Sequence, residues 1–113
     1  MSSEVRPPII VNASGDVYFY RTVAEVELDL EVPDVRNGEY EVFDSHGRVL
    51  GLEVISSAIQ DLVRVVSTER FDPEYLRDFM ISFFTVAGEN ESGLRSMHLR
   101  ELVDLGFRLS NRM

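Results

Sequence analysis

Two pairs of short β-prone runs constrain the fold of this chain more than any other feature of its sequence. The first pair is Ile9–Val11 and Val17–Tyr20, joined by Ala13-Ser14-Gly15-Asp16. The second pair is Tyr40–Phe43 and Val49–Ile55, joined by Asp44-Ser45-His46-Gly47-Arg48. Runs rich in Val, Ile, Tyr and Phe that are separated by turn-forming residues are typical of hairpins, so both pairs predict antiparallel strands.

The segment from Thr22 to Val32 fits two different structures. From Glu25 onwards it alternates acidic and apolar residues, which is the pattern of a half-buried strand. Thr22 followed by Glu25 is instead the capping box of a helix, in which Val26 and Leu30 share one face. The helix leaves Leu28 and Val32 on the opposite side, so the alternation taken alone favours the strand.

The C-terminal half predicts one further strand and two helices. Leu62–Thr68 is rich in β-branched residues and is predicted to be a strand. Asp72-Pro73 combines a helix N-cap with a first-turn proline, so we expect a helix over Phe71–Ala87. A last helix is expected over Leu94–Leu109, in which Gly106 costs about 1 kcal/mol relative to alanine.

The composition is that of one globular domain. Of the 113 residues, 44% are hydrophobic and 27% are charged, so the chain can bury one core without room for a second. We expect a single domain over residues 1–113, with 1–8 flexible. The chain has no cysteine, which excludes disulfides, thiolate metal sites and a cysteine nucleophile. The absence of an apolar leader or an 18-residue apolar run leads us to expect a cytoplasmic protein.

The balance of charge is strongly acidic. Twenty acidic residues stand against eleven arginines and no lysine, and the net charge is −9. Nucleic acids and anionic membranes bind through clustered cations, which this chain lacks, so neither is an expected partner. A basic protein is the partner that such a field attracts.

The acidic residues are concentrated between positions 25 and 44, where Arg36 is the single base. The predicted partner-binding residues are Glu25, Glu27, Asp29, Glu31, Asp34, Glu39, Glu41 and Asp44. The alternative interpretation is a solvated surface that the C-terminal arginines, such as Arg100 and Arg108, partly neutralise.

Candidate sites for chemistry are few. Asp44 and His46 lie in one turn, and His98 and Glu101 are three residues apart, but a metal site needs more ligands than either pair supplies. The chain contains no Gly-x-Ser-x-Gly elbow and no phosphate-binding glycine motif. The phenylalanines at 79, 83 and 84 are spaced for a helix core. We therefore expect no catalytic residues, no metal and no cofactor.

One stretch carries a family resemblance. It reads Asp34-Val35-Arg36-Asn37-Gly38-Glu39-Tyr40, followed by Phe43-Asp44 and Gly47-Arg48. This resembles the Asp-Val-x-Asn-Gly-Glu-Tyr and Tyr/Phe-Asp-x-x-Gly-Arg pattern of a family of small acidic bacterial proteins, common in actinomycetes. Some of its members resemble toxin-immunity proteins, and the resemblance implies that the segment Thr22–Glu31 is a helix.

Together with the fit of Thr22 and Glu25 to a helix cap, the resemblance leads us to expect an α+β fold. In it, an antiparallel sheet of four or five strands is packed on one face by about three helices. The expected function is a non-catalytic protein-binding domain, specifically an immunity-type inhibitor of a basic toxin. The second hypothesis is an accessory or structural domain that forms homodimers through a sheet edge or through the stripe of Phe79, Phe83 and Phe84. The third is a small-molecule-binding enzyme domain.

Overall fold

The computed structural model describes residues 4–110, which form a five-stranded antiparallel sheet and five helices. The elements are β1 (Ile9–Ala13), β2 (Asp16–Tyr20), α1 (Val23–Asp29), α2 (Val32–Arg36), β3 (Tyr40–Phe43), β4 (Arg48–Ile55), β5 (Leu62–Phe71), α3 (Pro73–Val86), α4 (Glu91–Arg95) and α5 (Leu99–Ser110). The strand order is β2-β1-β3-β4-β5, and each neighbouring pair is antiparallel. The predicted α+β class with an antiparallel sheet is confirmed.

Both predicted hairpins are present. Strands β1 and β2 are joined by Ser14 and Gly15, whose φ angles of 55° and 104° give the turn that matches the twist of paired strands. In the β3–β4 turn, Gly47 has φ 85°, and a Cβ there would lie 2.5 Å from the Pro73 Cα. Glycine is therefore required at position 47 for two reasons, backbone conformation and close approach.

The ambiguous segment is a helix. The Thr22 hydroxyl accepts a hydrogen bond from the Glu25 backbone N–H at 3.1 Å, and Val26 and Leu30 are buried. Leu28 is 88% exposed in this helix, whereas in a strand it would have shared the apolar face with Val26 and Leu30. The cap and the burial of one helical face outweigh the alternating pattern.

A second short helix, α2, was not expected. It begins after Glu31, contains Pro33 in its first turn and ends at Gly38, whose φ is 68°. An Asn-Gly pair is typical of a tight turn between strands. Instead the Gly38 and Glu39 backbone N–H groups bond back to the carbonyls of Val35 and Asp34, and so close this helix.

Helices cover both faces of the sheet, which corrects the prediction of a single covered face. Residues Ile9, Ile10 and Val11 are consecutive on β1, and all three are fully buried. Since neighbouring strand residues point to opposite faces, both faces of this strand are apolar and both require cover. Ile10 packs in the core beneath α3, α4 and α5, whereas Ile9 and Val11 pack in a second core with α1 and α2.

The predicted final helix is divided in two. Helix α4 ends at the cap residue Ser96, and α5 begins at Leu99. Gly106, which we expected only to weaken this helix, lies against the Phe19 ring, where a Cβ would be 2.2 Å from a ring carbon. Its lack of a side chain lets α5 approach β2. The other predicted elements are confirmed, with β5 longer than expected.

Within the N-terminal residues 4–8, Arg6 is hydrogen-bonded to the β3–β4 turn, and the expected flexibility of residues 1–8 stays a prediction. The Arg6 backbone N–H donates to Asp44 Oδ2 at 3.1 Å, and the Arg6 carbonyl accepts from Ser45. Residues 1–3 lie outside the described residues. Across residues 4–110, no helix is both long and apolar enough to cross a membrane.

Candidate functional site

Six of the eight predicted partner-binding carboxylates lie along α1, α2 and the turn into β3: Glu25, Glu27, Asp29, Glu31, Asp34 and Glu39. The amphipathic pattern of α1 explains this arrangement, because Val26 enters the core while Glu25 and Asp29 stay exposed. Glu25 also accepts a hydrogen bond from the Arg21 backbone N–H at 2.9 Å, which holds its carboxylate at the start of the helix.

Glu27 links α1 to the sheet. Its Oε2 accepts a hydrogen bond of 2.8 Å from the backbone N–H of Val65 on β5. Because β5 is the last strand of the sheet, it has no strand neighbour on its outer side. The Glu27 carboxylate thus satisfies a backbone donor at the sheet edge and also adds negative charge to this surface.

Two further carboxylates accept hydrogen bonds from tyrosine hydroxyls. The Tyr20 hydroxyl donates to Asp29 Oδ2 at 2.5 Å, and the Tyr40 hydroxyl donates to Asp34 Oδ2 at 3.2 Å. Burial, reinforced by the bond to Asp29, raises the pKa of Tyr20, and burial with the nearby Asp34 carboxylate raises the pKa of Tyr40. Each of these two carboxylates is therefore oriented by a tyrosine hydroxyl.

Glu31 and Glu39 are exposed at the two ends of α2. Glu31 is the N-cap residue of α2, but its side chain makes no capping hydrogen bond. Glu39 follows Gly38 and leads into β3. Neither side chain contributes a hydrogen bond to the fold within residues 4–110, so both are available to a partner.

Two predicted residues do not belong to this surface. Glu41 lies on the opposite face of the sheet, where its Oε1 accepts from the Tyr75 hydroxyl at 2.7 Å and from Asn12 at 3.0 Å. The bond to Glu41 raises the pKa of Tyr75. Glu41 is two residues from Phe43 on β3 and shares its face, which α3 covers, whereas Glu39 precedes the strand at the end of α2.

Asp44 is only 1% exposed and cannot contact a partner, which corrects its inclusion in the predicted surface. Its carboxylate accepts hydrogen bonds from the backbone N–H groups of Arg6, His46 and Arg48. The Arg48 guanidinium lies 3.8 Å away and also contacts Thr68 and the Phe71 ring. Asp44 is thus the structural centre of the β3–β4 turn.

We call the remaining six carboxylates the acidic surface. Arg36, the single base of this segment, pairs with Asp61 at 2.7 Å. Within residues 4–110, no arginine forms an ion pair with any of the six. Of the described C-terminal arginines, Arg95 pairs with Glu91, and Arg100 and Arg108 belong to α5, which packs on the other face of the sheet.

A cleft of about 350 Å³ opens in the acidic surface. The residues that line it include Tyr18, Tyr20, Tyr40, Asp29, Asp34 and Glu39. The faces of tyrosine rings and carboxylate oxygens are the groups that hold a guanidinium or ammonium cation. This arrangement can receive an arginine or lysine side chain.

The sequence analysis did not single out these tyrosines. The signal was present, because Tyr18 and Tyr20 are two residues apart on a predicted strand and must share a face. That this face is the one bearing the acidic residues depends on α1 folding back over β2, which no local pattern contains.

The histidines are separate from this surface and from each other. The His98 backbone N–H donates to Glu101 Oε1 at 2.8 Å, so the spacing of this pair serves the start of α5. His46 lines a different cleft together with Ser45 and Arg100. No group of three or more His, Cys, Asp or Glu side chains arranged to hold a metal occurs within residues 4–110.

The chain was compared with protein families, curated proteins and solved structures. No protein-family model matches the chain, and neither a curated protein nor a solved structure shows significant similarity to it. The resemblance to small acidic bacterial proteins stays a prediction. The residues that carry it have clear local roles here: Asp34 bonds Tyr40, Gly38 ends α2, and Asp44 with Arg48 secures a turn.

Proposed function

We propose that this chain is a non-catalytic protein-binding domain that acts in the bacterial cytoplasm as an immunity-type inhibitor of a basic toxin. The observation that carries the proposal is the acidic surface, whose six carboxylates lie on α1, α2 and the turn into β3 and form no ion pair with an arginine of residues 4–110. Three of them, Asp29, Asp34 and Glu39, line the cleft with the tyrosines. The size of the chain, its charge of −9 and its resemblance to small acidic bacterial proteins support it.

Inhibition of this kind needs no chemistry. The acidic surface accelerates encounter with a basic partner, and rates gained in this way fall as salt screens the charges. Tyrosines are among the side chains that contribute most at protein interfaces, because a large ring is buried with little loss of conformational freedom. Of the three tyrosines that line the cleft, Tyr18 is the most exposed, at 48%, and so has the most ring area to bury on binding.

The test is co-expression with the product of the neighbouring gene. We expect that product to arrest growth when expressed alone, and we expect this chain to restore growth and to form a complex with it in size-exclusion chromatography. Failure of the two proteins to co-elute at every salt concentration would contradict the proposal. A complex that forms without any effect on the partner's toxicity would support a binding domain and contradict an inhibitor.

A matched pair of charge variants locates the binding surface. Replacing Glu25, Glu31 and Glu39 by glutamine removes three charges from the acidic surface without removing a helix-core contact. The control replaces the exposed Glu74, Asp78 and Asp104 by their amides and changes the net charge equally. We expect the first variant to bind the partner about tenfold more weakly and the control to bind within about twofold of the wild type.

A further inference from the structure

The two edges of the sheet are protected to different degrees. At β5, the Glu27 carboxylate of α1 accepts the Val65 N–H. At β2, none of the described residues pairs with the outer side of the strand. An unpaired strand edge offers a row of backbone donors and acceptors to another chain.

The hairpin register shows which groups β2 offers. Ala13 and Asp16 flank the two-residue turn, so they exchange hydrogen bonds, and such pairs alternate along an antiparallel ladder. Asp16, Tyr18 and Tyr20 therefore bond to β1. The N–H and C=O groups of the residues between them, Val17 and Phe19, point away from the sheet.

A groove of about 600 Å³ runs along this edge of β2. One wall is apolar and includes Phe83, Phe84 and Leu109 of α3 and α5. The other wall includes Tyr18, Tyr20 and Asp29 on the side of the acidic surface. Among the described residues, the lining contains the carboxylates of Asp16 and Asp29 and no cationic side chain.

We propose that this edge binds an extended segment of the basic partner as a sixth, antiparallel strand in which apolar and basic residues alternate. The proposal rests on the proposed function and names the place and the form of the contact. Backbone pairing with Val17 and Phe19 supplies affinity, while the two unlike walls of the groove select the side chains. The charge of the groove is complementary to arginine or lysine on the side of Asp29.

A second copy of this chain is a poorer occupant of the groove. Pairing of two β2 strands about a two-fold axis would bring the Asp16 and Asp29 carboxylates of both copies into one interface. Like charges that approach across an interface disfavour association. The same carboxylates favour a basic strand.

The geometry predicts which partner residues form the hydrogen bonds. Directly opposed residues of antiparallel strands place their side chains on the same face. The side chains of Val17 and Phe19 pack on the face covered by α3 and α5, so the partner residues opposite them are the apolar ones. The apolar residues of the partner therefore exchange backbone hydrogen bonds with β2, and the backbone N–H groups of its basic residues point away.

Two methylated peptides test this directly. The parent is a synthetic peptide of about seven residues in which arginine and valine alternate. One derivative carries methyl groups on the valine backbone nitrogens, and the other carries the same number on the arginine nitrogens. By isothermal titration calorimetry with the full chain, we expect the parent to bind in the micromolar range. We expect valine methylation to weaken binding at least tenfold, and arginine methylation to leave it within about threefold.

Several results would overturn the strand addition. In one, the parent peptide does not bind at all, and in another, the two methylated peptides lose the same affinity. The same conclusion follows if arginine methylation weakens binding and valine methylation does not. A chain that is a dimer by light scattering at micromolar concentration and that the peptide does not dissociate would show that a second copy occupies the edge. None of these results decides the proposed function, which is tested with the neighbouring gene product. A complex with that product that needs the acidic surface would survive a failure of strand addition.

Discussion

The two faces of the sheet differ in what fills them and in what they show to solvent. Beneath α3–α5 the core is aromatic, and the Phe84 ring stacks on Phe19 with centroids 6.1 Å apart. Beneath α1 and α2 the core is smaller and aliphatic, with Val26 and Leu30 at its centre. The outer surface on this second side carries the carboxylates. We infer that most of the stability resides on the first side and that the second is free to carry charge.

The largest expected effect tests that division. Phe84→Ala should lower the free energy of unfolding by about 3–5 kcal/mol, because a fully buried ring is lost from the aromatic core. Val26→Ala, on the other side, should lower it by about 1–3 kcal/mol. Denaturant unfolding followed by circular dichroism measures both values. Equal losses from the two substitutions would remove the distinction between the cores.

A second prediction separates the two kinds of carboxylate in the acidic segment. Asp44→Ala should cost about 3 kcal/mol, since three backbone N–H groups lose their acceptor and the buried Arg48 guanidinium loses its ion-pair partner. Glu31→Ala should change stability by less than about 0.5 kcal/mol, since the exposed Glu31 side chain makes no capping bond. The same unfolding measurement applies, and a loss at Glu31 as large as that at Asp44 would show that the acidic surface is structural.

Alkaline pH is expected to weaken the acidic side more than the other. The chain has no lysine or cysteine, so tyrosine is the side chain that titrates near pH 10. A raised folded-state pKa stabilises the fold fully below the unfolded value of about 10, and this contribution is lost as pH rises through the folded-state pKa. Stability should therefore fall as the pH rises above 10.

Two phenylalanine variants assign that loss to one side. Tyr20→Phe should flatten the pH dependence more than Tyr75→Phe does, because burial and Asp29 together raise the pKa of Tyr20 strongly. Unfolding at pH 9 to 11, with the tyrosinate absorbance as a second signal, gives the comparison. A larger effect from Tyr75→Phe would reverse the assignment.

The comparison of the two faces also shows how far the sequence could predict the structure. Hairpins, caps and the helix at 73–86 follow from local patterns, so these elements were predictable. The burial of Asp44 was not, because it depends on Arg6 and Arg48 converging on one turn. The cleft of tyrosines and carboxylates depends in the same way on how α1 folds back over β2.

The smallest effect on stability is expected for the acidic-surface variant, which should have the largest effect on partner binding. Neutralising Glu25, Glu31 and Glu39 together should leave the unfolding free energy within about 1 kcal/mol of the wild type, since their side chains are exposed. Binding of a basic partner should nevertheless weaken. Unfolding and binding measured on the same preparation distinguish the two effects, and a large loss of stability would contradict the account.

The most direct test of the central claim is an amide chemical-shift map of the ¹⁵N-labelled chain during titration with the alternating arginine–valine peptide. We predict that the largest shifts fall on β2, α1, α2 and the turn at Glu39, and that they diminish as salt is added. Shifts spread evenly over the surface, or concentrated on the exposed sides of α4 and α5, would contradict it.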